Sequence, residues 1–363
     1  MSAPFRVLDA AVAADRQVWL EQWSEWPDRE VQAHPSYVSL FADGDDRALA
    51  ASWNSDAGTV LFPFVLRTIR VGEARDPGDA LSDIVTPYGY GGAFSWNAAD
   101  RADLAARFWA AFADWASDHR VVSEFLRLSL FEESVLPYPG ALEHKQDNIV
   151  VDVSLIEDDL WRSFDHKVRK NVNKARRSGI RIEVDETGAR FAEFARIYES
   201  TMERRSADRG YYFEPDFFDS IHRGLPGHFA YFHALDGETV VSTELVLLSS
   251  NSGYSFLGGT REESFASRPN DLLKVEIMRW LAQTGRRWFV LGGGYQAGDG
   301  IFRYKRAFAP EGVRPFTVGT RVVDPDVYGA LTRDRFGGAV PEDIGYFPAY
   351  RAAALVSQTA DQT

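Results

Sequence analysis

One order of elements occurs twice along this chain, and few architectures can hold it. In the first half a hairpin pattern (47–69) leads to a glycine-containing loop (83–97), an amphipathic helix (100–117) and a strand (121–131). In the second half a strand meander (229–257), a glycine-containing loop (258–269), a helix (270–284) and a strand (287–291) follow in the same order, offset by about 170–180 residues. Strands interleaved with helices in this way build mixed α/β sheets. A chain of 363 residues is too long for one ordinary core, which agrees with two domains. Identity between the halves is slight, so the duplication is one of pattern. It predicts two copies of one mixed α/β unit, with a ligand site in the groove between them.

The second copy closes on residues 285–308, GRRWFVLGGGYQAGDGIFRYKRAF. A short apolar run, Trp288 to Leu291, stops at Gly292, Gly293 and Gly294; beyond Gly298 and Gly300 come Phe302, Arg303, Tyr304, Lys305 and Arg306. This reads as a buried strand that opens into a permissive loop and sets cations beside aromatic rings. The preceding helix, Asn270 to Gln283, carries Leu272, Leu273, Ile277, Trp280 and Leu281 at helical spacing. Strand tips fed by a helix are where α/β folds place ligands.

The remaining elements follow from periodicity and turn chemistry. A strand (5–8), a Trp-rich helix (18–26) and a short helix opened by Pro35 begin the chain. Residues 71–97 read as a loop rich in Gly, Asp and Pro, and 132–148 as an irregular link. After a strand at 149–155, Ser154 and Glu157 resemble a capping box. The helix they open bears Leu160, Trp161, Phe164, Val168, Val172 and Ala175 on one stripe and ends at Gly179. Its other face is cationic, with Lys167, Arg169, Lys170, Lys174, Arg176 and Arg177. Such a face suits either a solvated helix end or a strip that holds phosphates. Helices at 188–207 and from Pro215, a strand at 314–323, and helices near 325–332 and 349–357 complete the reading.

A net charge of −13 argues against a protein that coats nucleic acid by bulk charge, so any phosphate contact must come from a local patch. Cysteine is absent, which removes disulfides, thiolate metal sites and a Cys nucleophile, and suits a reducing cytoplasm. The N-terminus lacks the pattern of a signal peptide, and no apolar run is long enough to span a bilayer. The expectation is a cytoplasmic monomer.

The histidines are scattered without metal-ligand spacing, and neither a GxSxG elbow, a P-loop nor a dinucleotide fingerprint is present. What remains is Tyr, Asp, Arg and Lys around glycine loops. That set suits direct transfer of an activated acyl group to an amine. A carboxylate or a water takes the proton of the amine, and a Lys ammonium or backbone N–H groups steady the oxyanion.

Three segments carry a family resemblance. KVRKNVNKARRSGIRIEV resembles the R-N-x-x-K-A-x-x-x-G helix of FemA/FemB/FemX-like proteins; TPYGYGG at 86–92 resembles their first-domain loop; and RPNDLLKVEIMRWLAQTG with FVLGGG and GIFRYKRAFAP resembles their G-L-x-x-F-K-x-x-F ending. Together they cover about residues 60–310. The resemblance implies an α/β fold of two tandem GNAT-like domains: 1–148 with the tail 319–363, and 149–318. It implies a transferase that moves an aminoacyl group from aminoacyl-tRNA to an amine acceptor, a muropeptide of peptidoglycan synthesis or a secondary-metabolite amine, with no tightly bound cofactor. By the same resemblance Lys305 steadies the oxyanion or the leaving ribose, and Tyr304 stands where the family has Phe. Asp83, Tyr88 and Tyr90 on the first-domain glycine loop line the acceptor pocket, with Asp83 a candidate base. Arg169, Lys170 and Lys174 contact phosphates, and Arg261 and Arg303 complete the substrate-binding set. Two alternatives stand beside it. One is an acyl-CoA-dependent N-acyltransferase, for which Gly258-Gly259-Thr260-Arg261 is a poor pyrophosphate loop. The other is a non-catalytic GNAT-like scaffold.

Overall fold

The computed structural model describes residues 4–70, 80–155, 157–205, 210 and 212–352. The chain forms two compact units. Unit 1 is drawn from Met1–Trp19, Phe41–Glu143 and Thr317–Thr363, and unit 2 from Leu20–Leu40 and His144–Phe316.

The chain opens with β1 (Phe5–Asp9), α1 (Ala13–Glu25), α2 (Pro35–Ser39), β2 (Arg47–Ser55), β3 (Gly58–Ile69), β4 (Leu81–Val85), β5 (Phe94–Trp96), α3 (Arg101–Asp118) and β6 (Val121–Arg127). In unit 1, β1 to β4 pair antiparallel in sequence order, and β6 then lies parallel to β4. The chain continues through β7 (Ala141–Asp152), α4 (Glu157–Ser163), α5 (His166–Arg177), β8 (Arg181–Asp185), α6 (Phe191–Arg204), α7 (Pro215–Gly224), β9 (Phe229–Asp236), β10 (Thr239–Leu248), β11 (Ser252–Thr260), α8 (Pro269–Gln283) and β12 (Trp288–Gly292). In unit 2, β8 to β11 pair antiparallel in sequence order, and β12 lies parallel to β11. The repeated order is therefore longer than its sequence trace: β1-α1-α2-β2-β3-β4-α3-β6 recurs as β8-α6-α7-β9-β10-β11-α8-β12. The chain ends with α9 (Gly300–Arg306), β13 (Val313–Val322) and α10 (Pro325–Arg335), followed by a 3-10 turn at Ala349–Arg351 where a longer helix was expected; 353–357 lie outside the described residues.

Each helix covers its sheet for reasons visible in its residues. Asp100 caps α3 by accepting from the N–H groups of Ala102 and Asp103. The helix then buries Leu104, Phe108 and Phe112 against Phe62 and Phe64 of β3, with edge-on ring contacts such as Phe62–Phe112 at 5.2 Å. In unit 2, α5 and α8 bury Val168, Val172, Leu273 and Ile277 against Phe232, Val246 and Phe289.

The structure corrects several sequence readings. The loop read at 71–97 contains strands β4 and β5, and the irregular link at 132–148 already holds the start of β7. The single helix read from 157 to 178 is two, broken at Phe164 and Asp165, although its buried stripe continues across the break into one core. Ser154 bonds Asp152 in place of capping a helix.

Segment 20–40, which the sequence division gives to the first domain, packs within unit 2. Tyr254 OH donates to Glu30 Oε2 at 2.7 Å, Val31 N to Ser249 Oγ at 2.8 Å, and Trp23 Nε1 to Glu30 O at 2.8 Å. Burial pushes the Glu30 carboxyl up to about 7 from 4.5, against the hydrogen bonds of Ser249 and Tyr254 that lower it. The folded state therefore holds this proton more tightly than the unfolded chain. Its contribution is complete below pH 4.5 and is lost as pH rises through 7. Glu30→Gln, which keeps an acceptor for Tyr254, is expected to be about 3 kcal/mol more stable relative to wild type at pH 8 than at pH 4.5. Parallel melts across that range check this; a constant difference between the two proteins would contradict it.

Candidate active site

The site grows from the junction of β11 and β12. Their parallel ladder holds for Ser252↔Trp288, Gly253↔Phe289 and Tyr254↔Val290, and then ends while β11 continues to Thr260. Beyond Tyr254 and Val290 the strands part, leaving backbone that the ladder no longer occupies. Glycine lets neighbouring elements come close here: a Cβ on Gly259 would lie 2.4 Å from Thr201 Oγ1 of α6, and one on Gly293 would lie 2.5 Å from Asn148 Oδ1. Gly292, at φ +77°, turns the chain off β12.

The segment after the glycines is helix α9, where the sequence reading saw only a basic and aromatic cluster. Asp299 organises its approach, accepting from Phe302 N at 2.7 Å, Tyr295 N at 2.7 Å and Gln296 N at 3.1 Å. Against the desolvation that would raise it, these donors hold the Asp299 carboxyl below the usual range. Lys305, half-buried on α9, donates from Nζ to Gly293 O at 2.7 Å. Burial, and next the charge of Lys274, push its ammonium down to about 8. Tyr304 OH accepts from Asn270 Nδ2 of α8 at 2.9 Å, which gives its departure from Phe a structural role. Burial, then the carboxylates of Asp271 and Glu244, raise the Tyr304 phenol well above its ordinary value, so it remains a protonated donor.

Two buried residues that sequence reasoning missed lie beneath. Lys274 Nζ donates to Glu244 Oε1 of β10 at 2.6 Å and to Ser255 Oγ of β11 at 2.8 Å. A signal was present: Glu244 is the lone charge in the run VVSTELVLL, and Lys274 interrupts an apolar helix stripe.

The other predicted residues have different fates. Arg303 stays with α9 but turns to Gly298 O at 2.6 Å on the exposed side. Arg261 donates Nε to Val240 O at 2.8 Å and joins β11 to β10. Arg169 Nη1 donates to the carbonyls of Arg162 and Phe164, bracing the break between α4 and α5. Lys170 and Lys174 are exposed on α5. In unit 1, Asp83 is not on a loop: it lies in β4, fully buried, bound by Arg67 Nε at 2.7 Å, Arg351 Nε at 2.5 Å and Tyr350 OH at 3.1 Å. Three donors, two of them charged, hold this carboxylate inside unit 1. Tyr88 is exposed and stacks on Phe41 at 6.3 Å; burial, and to a lesser degree Tyr88, raises the phenol of Tyr90.

Parallel strands that part at a glycine-rich tip, with a helix packed behind them, are accompanied by a family match. Residues 162–306 match the family described as Acetyltransferase (GNAT) domain. Unit 2 carries a GNAT domain. Over the whole chain the fold is FemX-like, two GNAT-like units in tandem. The crystal structure of FemX is similar at TM-score 0.65 and 12% identity, covering 87% of this chain and 98% of that one. The C-terminal domain of a putative lysylphosphatidylglycerol synthetase from Agrobacterium fabrum is similar at TM-score 0.52 and 13% identity, covering 89% and 99%. A conserved protein of unknown function from Bacteroides thetaiotaomicron gives 0.54 and 12%, covering 88% and 100%. These are likenesses of fold. No curated protein sequence matches the chain. Among the described residues no helix is long and apolar enough to cross a membrane. The GNAT match supports an acyltransferase.

Proposed function

We propose that this protein transfers an aminoacyl group from aminoacyl-tRNA to an amine acceptor, forming an amide. The observation that carries the reading is Lys305, a half-buried ammonium without a carboxylate partner among the described residues, bonded to the Gly293 carbonyl just past the end of β12, where its ladder with β11 has stopped. A donor carbonyl entering there would replace Gly293 O as the partner of Nζ, and the charge would strengthen its hold as the oxyanion forms. The acceptor is an amine of the muropeptide or secondary-metabolite class.

The GNAT match favours a second reading with acyl-CoA as donor. Against it, the segment that would cradle a pyrophosphate has its Arg261 committed to the Val240 carbonyl. Purified protein offered labelled aminoacyl-tRNA and acetyl-CoA in parallel, with a panel of amines, separates them. Transfer that RNase abolishes supports the first, and transfer from the thioester supports the second. Transfer from neither overturns both.

Under the tRNA reading, Lys170 and Lys174 meet donor phosphates. Lys170→Glu with Lys174→Glu is expected to weaken tRNA binding about tenfold at low salt and to lower the slope of log K against log salt by about 1 to 2. An unchanged slope would remove these lysines from the interface.

A further inference from the structure

Of two neighbouring lysines in unit 2, Lys274 and Lys305, only Lys274 is paired with a carboxylate. Glu244 is bound to Lys274 at 2.6 Å, and both side chains are buried, at 4% and 7% exposure. Among the described residues Lys305 has no carboxylate within salt-bridge distance; its hydrogen bond is to the neutral Gly293 carbonyl. Four charged groups act on it most strongly. Lys274 of α8 and Arg205 after α6 oppose its charge, and Glu244 of β10 and Asp299 before α9 favour it. Both favouring carboxylates are already engaged, Glu244 by Lys274 and Asp299 by backbone N–H groups. An ammonium drawn out of water with no carboxylate of its own is driven toward its neutral form.

We propose that Lys305 is the base of the transfer reaction, taking the proton from the acceptor ammonium, and that the Lys274–Glu244 pair is the positioning device that keeps Lys305 free to do so. This rests on the acyl-transfer reading. The amine of Lys305 accepts one proton from the acceptor ammonium. The freed nitrogen lone pair attacks the donor carbonyl carbon, and the C–N bond forms. Lys305, now charged, faces the oxyanion. As the intermediate collapses, the C–O bond to the ribose breaks (C–S for a thioester). The leaving atom takes the proton that the attacking nitrogen sheds on becoming an amide, and Lys305 returns its own proton to solvent. Burial and Lys274, which push Lys305 down to about 8, supply the neutral amine near physiological pH.

The test is a titration of Lys305 in the full-length protein by NMR of 13C-dimethylated lysines, assigned with Lys305→Arg. The wild-type midpoint is expected near 8. Lys274→Met removes a like charge and leaves Glu244 to Lys305, and should raise the midpoint by at least about one unit toward the ordinary 10.4. Lys274→Met with Glu244→Gln, which strands no buried charge, should raise it less. The acid limb of kcat/KM for whichever donor is active should follow each shift, with about a tenfold loss of rate at pH 7 per unit. Transfer with a lysine that titrates at its ordinary value, or an acid limb that does not move with it, overturns the base role alone. A shifted lysine with no transfer from either donor overturns the acyl-transfer reading and the base role with it.

Discussion

Replacing Lys305 with methionine is expected to lower transfer by about two to three orders of magnitude while leaving the fold intact. Methionine fills the same volume and keeps the contact with the wall of the domain. It loses the charge facing the donor carbonyl and the amine facing the acceptor. Stability should hold or rise slightly, because the ammonium lies half out of water against a neutral carbonyl. Lys305→Arg separates the two duties. Its guanidinium keeps a charge for the oxyanion but cannot act as a base near neutral pH, so it should recover only part of the lost rate. The measurement is single-turnover transfer, with thermal melts alongside. Full activity in Lys305→Met would move the site elsewhere.

The second large effect concerns stability. Asp83→Ala should destabilise the protein by about 3–5 kcal/mol and lower its melting temperature by on the order of 10 °C. Asp83 binds Arg67 of β3 on one side, and Arg351 and Tyr350 of the C-terminal segment on the other. Its carboxylate is fully buried, and both arginines are mostly covered, at 21% and 28% exposure. Removing it leaves two guanidiniums without this counter-charge and loosens the hold of β4 on the C-terminal segment. Asp83→Asn tests the clamp against the catalytic base that the sequence suggested. A clamp predicts a lower melting temperature with transfer per folded molecule unchanged. A base predicts the reverse.

These two residues also show what the sequence could reveal. The strand and glycine turn that precede Lys305 were legible because their signal is local, an apolar run ending in three glycines. Asp83 was misread because its partners are distant: Arg67 lies 16 residues away and Arg351 268 away. A carboxylate in LSDIV therefore looked like loop chemistry and hid the strand around it. The same distance effect concealed the pairing of Lys274 with Glu244, 30 residues apart, although each interrupts an apolar run. The helices α3 and α8 were legible from stripe and spacing. The break between α4 and α5 was not, since the buried stripe runs through it and only the carbonyls met by Arg169 mark the gap.

The most direct measurement is a structure with a non-hydrolysable aminoacyl-adenosine, its ester replaced by an amide to mimic the tRNA terminus. The carbonyl oxygen is expected within hydrogen-bond distance of Lys305 Nζ, in the opening where β11 and β12 part, with Gly293 O released. An analogue seated elsewhere, with Lys305 still bonded to Gly293 O, would contradict it.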